Sequence, residues 1–141
     1  MSRLKGVQVL FDADGVIALV HGKHGNHSQA INAQKRLDKE KAVWYMSRYV
    51  IAEVATVLSQ RVSNTISVQF LDDIRKWPEL HIIETGDELE LAAEEIFKRQ
   101  TSKNVSYIDC HNVALMRWYK LDGIFSFDKH YKKNGIKLVT E

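Results

Sequence analysis

Four acidic residues are placed where they could do chemistry, Asp12, Glu53, Asp109 and Asp128, and Asp14 stands two residues after the first. Asp12 directly follows an apolar run, VQVLF, and Asp128 directly follows another, GIFSF. An acid at the carboxyl end of a strand sits where α/β proteins form their sites. Glu53 lies inside VIAEVATVL, and its helical neighbours Tyr49, Val50, Thr56 and Val57 include no cation, so no local ion pair accounts for it. A carboxylate beside apolar surface is costly unless it is paired or bound to metal. Each acid also has an ordinary structural explanation. Asp12 and Asp14 suit a turn or a helix cap. Ser106-Tyr107-Ile108-Asp109 is a capping-box pattern. Asp128 suits the N-cap of a short turn, and Glu53 the edge of a buried stripe. Ser126 stands two residues before Asp128 and, on an extended chain, points the same way. Taken together, Asp12, Glu53, Asp109 and Asp128 form a four-carboxylate set of hard oxygen ligands suited to Mg²⁺ or Mn²⁺. Gathered carboxylates repel one another, and a divalent cation removes that conflict. Such an ion lowers the pKa of bound water and stabilises charge developing on a phosphate.

The elements that must position these acids follow from periodicity. Val7 to Phe11 reads as a buried strand, and a polar loop, HGKHGNHS, comes later. Ser28 to Lys39 reads as a helix, Ala42 to Met46 as a strand, and Arg48 to Arg61 as a helix with Val50, Val54, Val57 and Leu58 at helical spacing. Another helix covers about Ser67 to Lys76 and stops before Pro78. His81 to Glu84 reads as a strand, Asp87 to Arg99 as an amphipathic helix and Ser106 to Lys120 as a further helix. Gly123 to Phe127 and Ile136 to Val139 read as short final strands. Strands alternating with helices predict an α/β layer structure around a mostly parallel sheet.

Bulk properties narrow the field. The chain of 141 residues fits one domain spanning 1–141, with 45% hydrophobic and 27% charged residues. The single cysteine, Cys110, excludes an internal disulfide framework and a cysteine-based zinc site, which suits a cytoplasmic setting. No apolar run of spanning length occurs, and the N-terminus lacks the pattern of a signal peptide. A net charge of +2 means that nucleic-acid binding must come from local basic patches.

With these residues in place, the chain resembles the PIN-domain family, in particular its VapC-type toxins. Residues 106 to 139, SYIDCHNVALMRWYKLDGIFSFDKHYKKNGIKLV, look like the family's third acid opening a helix, then a strand ending in Thr/Ser-x-Asp followed by Lys and an aromatic. Ser126, Asp128, Lys129 and Tyr131 fit that ending. VLFDADGVIAL resembles the first acidic strand with Asp12, and SRYVIAEVATVLSQR the helix bearing the family glutamate, here Glu53. The likeness extends over roughly residues 7 to 140. It implies a three-layer fold around about five parallel strands and Mg²⁺- or Mn²⁺-dependent cleavage of RNA, with Ser126 orienting a water or a carboxylate. It also implies a homodimer and a small antitoxin partner. Asp14 departs from the family, which often has Ser, Thr or Asn there, and could add a metal ligand.

FDADGVI also resembles the first motif of haloacid-dehalogenase-type phosphatases, in which Asp12 would be the nucleophile and Asp14 the acid/base. That reading leaves Glu53, Asp109 and Asp128 without roles. A non-catalytic, RNA-binding module of the PIN type is a further alternative. Lys129, Lys132 and Arg48 are candidates for phosphate contact. His21, His24 and His27 space as H-x2-H-x2-H, which matches no standard zinc pattern and suits an exposed loop near an RNA path. Trp44, Trp77 and Trp118 suit core or interface, and Cys110 suits a small buried position.

Overall fold

The computed structural model describes residues 6–141, so positions 1–5 of the expected single domain lie outside it. The chain runs β1 (Gln8–Phe11), α1 (Ala13–Val20), α2 (His27–Lys39), β2 (Val43–Ser47), α3 (Arg48–Arg61), α4 (Asn64–Arg75), β3 (His81–Ile83), α5 (Asp87–Lys98), α6 (Tyr107–Trp118), β4 (Gly123–Phe125) and α7 (His130–Lys133). The four strands form one parallel sheet in the order β3-β2-β1-β4.

Strand alternation divides the core into two layers. Val9 and Phe11 of β1 face one side, where Phe11 stacks on Trp44 with ring centroids 4.4 Å apart. Leu10 faces the other side, towards Val113, Leu115, Ile124 and Tyr131. Helices cover both faces, which is the expected α/β layering. Trp77 packs against the first core and Cys110 is buried, as the sequence suggests, whereas Trp118 is 53% exposed.

Three departures from the sequence reading bear on the site. The sheet has four strands rather than about five. Beyond β4, residues 136–139 make only a single parallel bridge, Ile124 to Leu138. Gly135, at φ 76°, turns the chain back after α7, and the backbone meets β4 only through Ile124 N–H to Lys137 O and Val139 N–H to Ile124 O. Secondly, β4 stops at Phe125 instead of Phe127 because side chains capture the next amides. The Phe127 N–H donates to Asp14 Oδ2 at 2.8 Å and the Asp128 N–H to Ser126 Oγ at 3.1 Å. Thirdly, Ala13–Val20, to which periodicity assigns no element, is helix α1. Asp12 alone separates it from β1 and caps it. Gly15 lets this helix lie against the sheet, since a Cβ there would meet Phe125 O at 2.1 Å.

The order β3-β2-β1-β4 means the chain steps outward from β1 through β2 to β3, then returns to pair on the other side of β1. The reversal falls between β1 and β4. The crevice beyond the carboxyl ends of strands at such a switch point is where ligands bind in open α/β sheets.

Candidate metal centre

Asp12 and Ser126 emerge side by side at this switch point, from the ends of β1 and β4. Asp12 is 5% exposed and its carboxylate accepts four hydrogen bonds. Oδ1 takes the Ala13 N–H at 2.8 Å and Asn112 Nδ2 at 3.0 Å. Oδ2 takes Tyr131 OH at 2.9 Å and Ser126 Oγ at 3.2 Å. Ser126 is fully buried, and its hydroxyl also accepts from the Asp128 amide. It thus joins the first acid to the loop that carries the last.

Asp14 lies in the first turn of α1. One oxygen holds the Phe127 amide, while Oδ1 is buried and has no hydrogen-bond partner. Asp109 is the third residue of α6 and completes the capping box: Ser106 Oγ accepts the Asp109 N–H, and Asp109 Oδ2 accepts the Ser106 N–H, both at 3.0 Å. The cap uses one oxygen. Asp109 Oδ1 lies 3.3 Å from Tyr131 OH. Asp128 Oδ1 accepts the His130 N–H at 3.0 Å. Glu53, half-buried on α3, lies close enough to Asp109 and Asp14 to feel the charge of both.

The electrostatics bind these five acids into one group. Burial pushes Asp12 well above the usual carboxylate range, and the charges of Asp14 and Asp109 push it further. Burial raises Asp14, with Asp128 adding to the rise. Burial also raises Glu53, with Asp109 and Asp14 adding to it. Among the described residues, no lysine or arginine forms an ion pair with any of the five. His130 Nε2 lies 3.9 Å from Asp109 Oδ2, too far for a hydrogen bond.

Asp109, Asp128 and His130 can each offer one ligand atom within 4.8 Å of one another. Both His130 ring nitrogens are buried without hydrogen-bond partners. An orphaned carboxylate oxygen on Asp14 and an acid set lacking cations fit a divalent ion with hard oxygen ligands. Asp12 is the exception in this set. A carboxylate offers about four lone-pair sites, and all of its sites already hold protein donors. Direct ligation by Asp12 would require it to give up one donor.

Periodicity did not single out Asn112, which is fully buried on α6 and bonds both Asp12 Oδ1 and Tyr131 OH through Nδ2. The available signal was D-x-x-N at Asp109 and Asn112, three residues apart and so on one helix face. Tyr131 is also fully buried. Burial, then the charges of Asp12 and Asp109, hold its phenol well above its ordinary range, so it remains a donor to the acids.

The basic candidates lie elsewhere. Arg48 makes a forked pair with Glu84, Nη2 to Oε1 being 2.5 Å. Lys132 pairs with Glu141 at 3.1 Å. Lys129 is exposed and makes no ion pair among the described residues. In the histidine loop, His27 Nδ1 sits 2.7 Å from Ala18 O, closing α1, and His24 Nδ1 accepts the Asn26 N–H. His21 and His24 both line a cavity that reaches Asp14 and Glu53.

Comparison with known proteins adds the following. Residues 9–137 match the family model described as PIN domain. The solved structure of the VapC20 toxin of Mycobacterium tuberculosis, titled as cleaving the sarcin-ricin loop, superposes with a TM-score of 0.80. Its sequence is 24% identical, and the match covers 92% of this chain and 96% of that one. At that identity the likeness concerns the fold. No curated protein matches the chain.

Proposed function

From the premise that the chain belongs to the PIN-domain family, we propose that it is a metal-dependent ribonuclease acting through Asp14, Glu53, Asp109 and Asp128, with Asp12 behind them. The observation that carries this reading is the crowding of five acids without lysine or arginine, where one buried oxygen, Asp14 Oδ1, has no partner. The arrangement is unfavourable as it stands and becomes favourable around Mg²⁺ or Mn²⁺.

When bound, the ion lowers the pKa of a coordinated water and neutralises charge on the phosphate under attack. The chain's own residues would do the rest. Asp109, Asp128, Asp14 and Glu53 would hold the cation. Ser126 and Asn112 keep the Asp12 carboxylate in one orientation, and Tyr131 ties it to Asp109. Supporting residues of this kind are worth about ten- to a hundredfold in metal affinity or activity. Lys129, free of ion pairs among the described residues, is the best placed of the basic candidates to meet a phosphate. The phosphatase alternative is weakened because both Asp12 oxygens already hold two donors each, which leaves no free lone pair for attack on phosphorus.

The chain's role as the toxin of a toxin–antitoxin pair, restrained by a small antitoxin and working as a homodimer in the cytoplasm, extends the same reading. Among the described residues no helix is long and apolar enough to cross a membrane. The test is cleavage of RNA with and without chelator. Activity should vanish with the metal and return with Mg²⁺ or Mn²⁺. Asp109→Asn and Asp128→Asn should each lower it by at least about a hundredfold while circular dichroism stays unchanged. Full cleavage in chelator, or by both variants, would refute the assignment.

A further inference from the structure

A cavity of about 400 Å³ opens beside the acid cluster, lined by Asp14, Ile17 and His21 on one side and Glu53, Val57 and Arg61 on the other. That volume is within the range of small-ligand sites. Its walls are two facing helical stripes. Asp14, Ile17 and His21 stand at i, i+3 and i+7 along α1 and its exit. Glu53, Val57 and Arg61 stand at i, i+4 and i+8 along α3. Each stripe reads acid, aliphatic, base in the same direction. The cavity therefore has an acidic end shared with the metal centre, an apolar middle, and a basic end completed by His24. At about 1.5 Å per residue, the α3 stripe is on the order of 12 Å long.

Groups at the basic end are available for binding. Arg61 is exposed and has no ion-pair partner among the described residues. His24 accepts the Asn26 N–H at Nδ1, so its ring proton sits on Nε2, which presents a donor. His21 joins its neighbours through the backbone, His24 N–H to His21 O, and its ring makes no hydrogen bond among the described residues. No acid other than Asp14 and Glu53 lines the cavity, so no carboxylate at the far end competes for Arg61.

We propose that this furrow between α1 and α3 receives the nucleotide next to the scissile phosphate of an RNA strand. The sugar and base lie on Ile17, Val57 and Val62, and the next phosphate on Arg61 with His24 and His21. This proposal rests on the ribonuclease reading and deepens it. Only a strand with its bases unpaired can lay one nucleotide between two helices, so the substrate class is single-stranded or looped RNA. The apolar middle carries no hydrogen-bonding side chain that would choose one base. The pocket therefore sets strand path more than sequence.

The test uses the full chain, Mn²⁺ and a short single-stranded RNA, with steady-state kinetics for Arg61→Ala and Arg61→Lys. The expected result is a KM raised about tenfold in Arg61→Ala, with kcat within about twofold and most of the loss recovered in Arg61→Lys. The salt slope of binding should fall by about one. An RNA with an uncharged methylphosphonate at the single linkage flanking the cut should be bound equally by wild type and Arg61→Ala. Unchanged KM in Arg61→Ala, or an Arg61 penalty that survives neutralisation of every flanking linkage, would overturn the pocket. Failure of the wild type to cleave or bind any RNA with Mn²⁺ would instead overturn the ribonuclease reading, and the pocket with it.

Discussion

Two carboxylate clusters lie on either side of α6, and they are built on opposite principles. On one side stand Asp12, Asp14, Glu53, Asp109 and Asp128. On the other stands a single acid, Glu90 of α5. Tyr49 OH and Tyr107 OH both donate to its carboxylate, and Thr85 Oγ1 donates to it at 2.8 Å. His111, fully buried on α6, lies 3.1 Å from the same threonine oxygen. Because the threonine proton goes to Glu90, the histidine donates from Nε2; burial lowers its pKa, and the Glu90 charge opposes that shift. The hydroxyls of Tyr107 and Tyr49 pull Glu90 below its ordinary range. Burial first, and Glu90 next, hold the Tyr107 phenol well above its ordinary range. The Glu90 charge is answered by protein donors, whereas burial and then neighbouring carboxylates raise Asp12, Asp14 and Glu53. A balanced carboxylate needs no outside partner, and an unbalanced group does.

Asp14→Asn should break this comparison most sharply. The amide oxygen can keep the Phe127 N–H, while the new NH₂ meets oxygens that now repel Asp14. Mn²⁺ affinity and RNA cleavage should fall by about a hundredfold, yet the metal-free protein should unfold at higher temperature than wild type. Calorimetry with and without Mn²⁺ reads both effects. A variant that loses stability and keeps its metal affinity would show that the acids are structural.

The pH response is the next largest effect. Asp12, Asp14 and Glu53 all have raised pKa values in the folded chain, so the native state binds more protons than the unfolded state above the ordinary carboxylate range. Their contribution is fully present below that range and is lost as pH rises through the raised folded values. Metal-free protein should therefore lose melting temperature across that window. Mg²⁺ or Mn²⁺ must displace the same protons, so its stabilisation should grow with pH, reaching about 2.7 kcal/mol at a hundredfold excess over Kd. A metal-induced shift that is flat in pH would mean that the ion binds elsewhere.

Much of this arrangement is legible in the chain itself. β1, β2 and α3 announce themselves through apolar runs and helical spacing, and α3 begins and ends where its periodicity says. Asp12 and Asp109 stand out because they end a strand or open a helix, and Asp128 because it directly follows an apolar run. α1 is harder to see, because ADGVIALV is apolar almost throughout and shows no polar face to set a period. The fifth strand fails for a different reason: apolar Ile136 and Leu138 are buried against β4 without a ladder. Asn112, Tyr131 and the pairing of Tyr49 with Glu90 depend on contacts between residues 19 to 119 positions apart. No local pattern encodes such pairings.

The smallest expected effect concerns Glu90→Gln, which tests the balanced side. The substitution keeps the shape and one acceptor oxygen but turns the other into a donor. One tyrosine hydroxyl then faces an NH₂ group and must turn to water. The cluster is half-buried, so the loss is closer to a neutral hydrogen bond than to a buried charge pair, about 1 kcal/mol. In a chain of this size that lowers the melting temperature by roughly 3 °C. Tyr49 stands one turn before Glu53, and Tyr107 two residues before Asp109, so a looser node lets the two acid-bearing helices shift slightly. Mn²⁺ affinity should weaken by less than about tenfold. If Glu90→Gln removed metal binding as completely as Asp14→Asn, the two clusters would be one functional unit, because a group that only ties helices together cannot cost as much as a group that holds the ion.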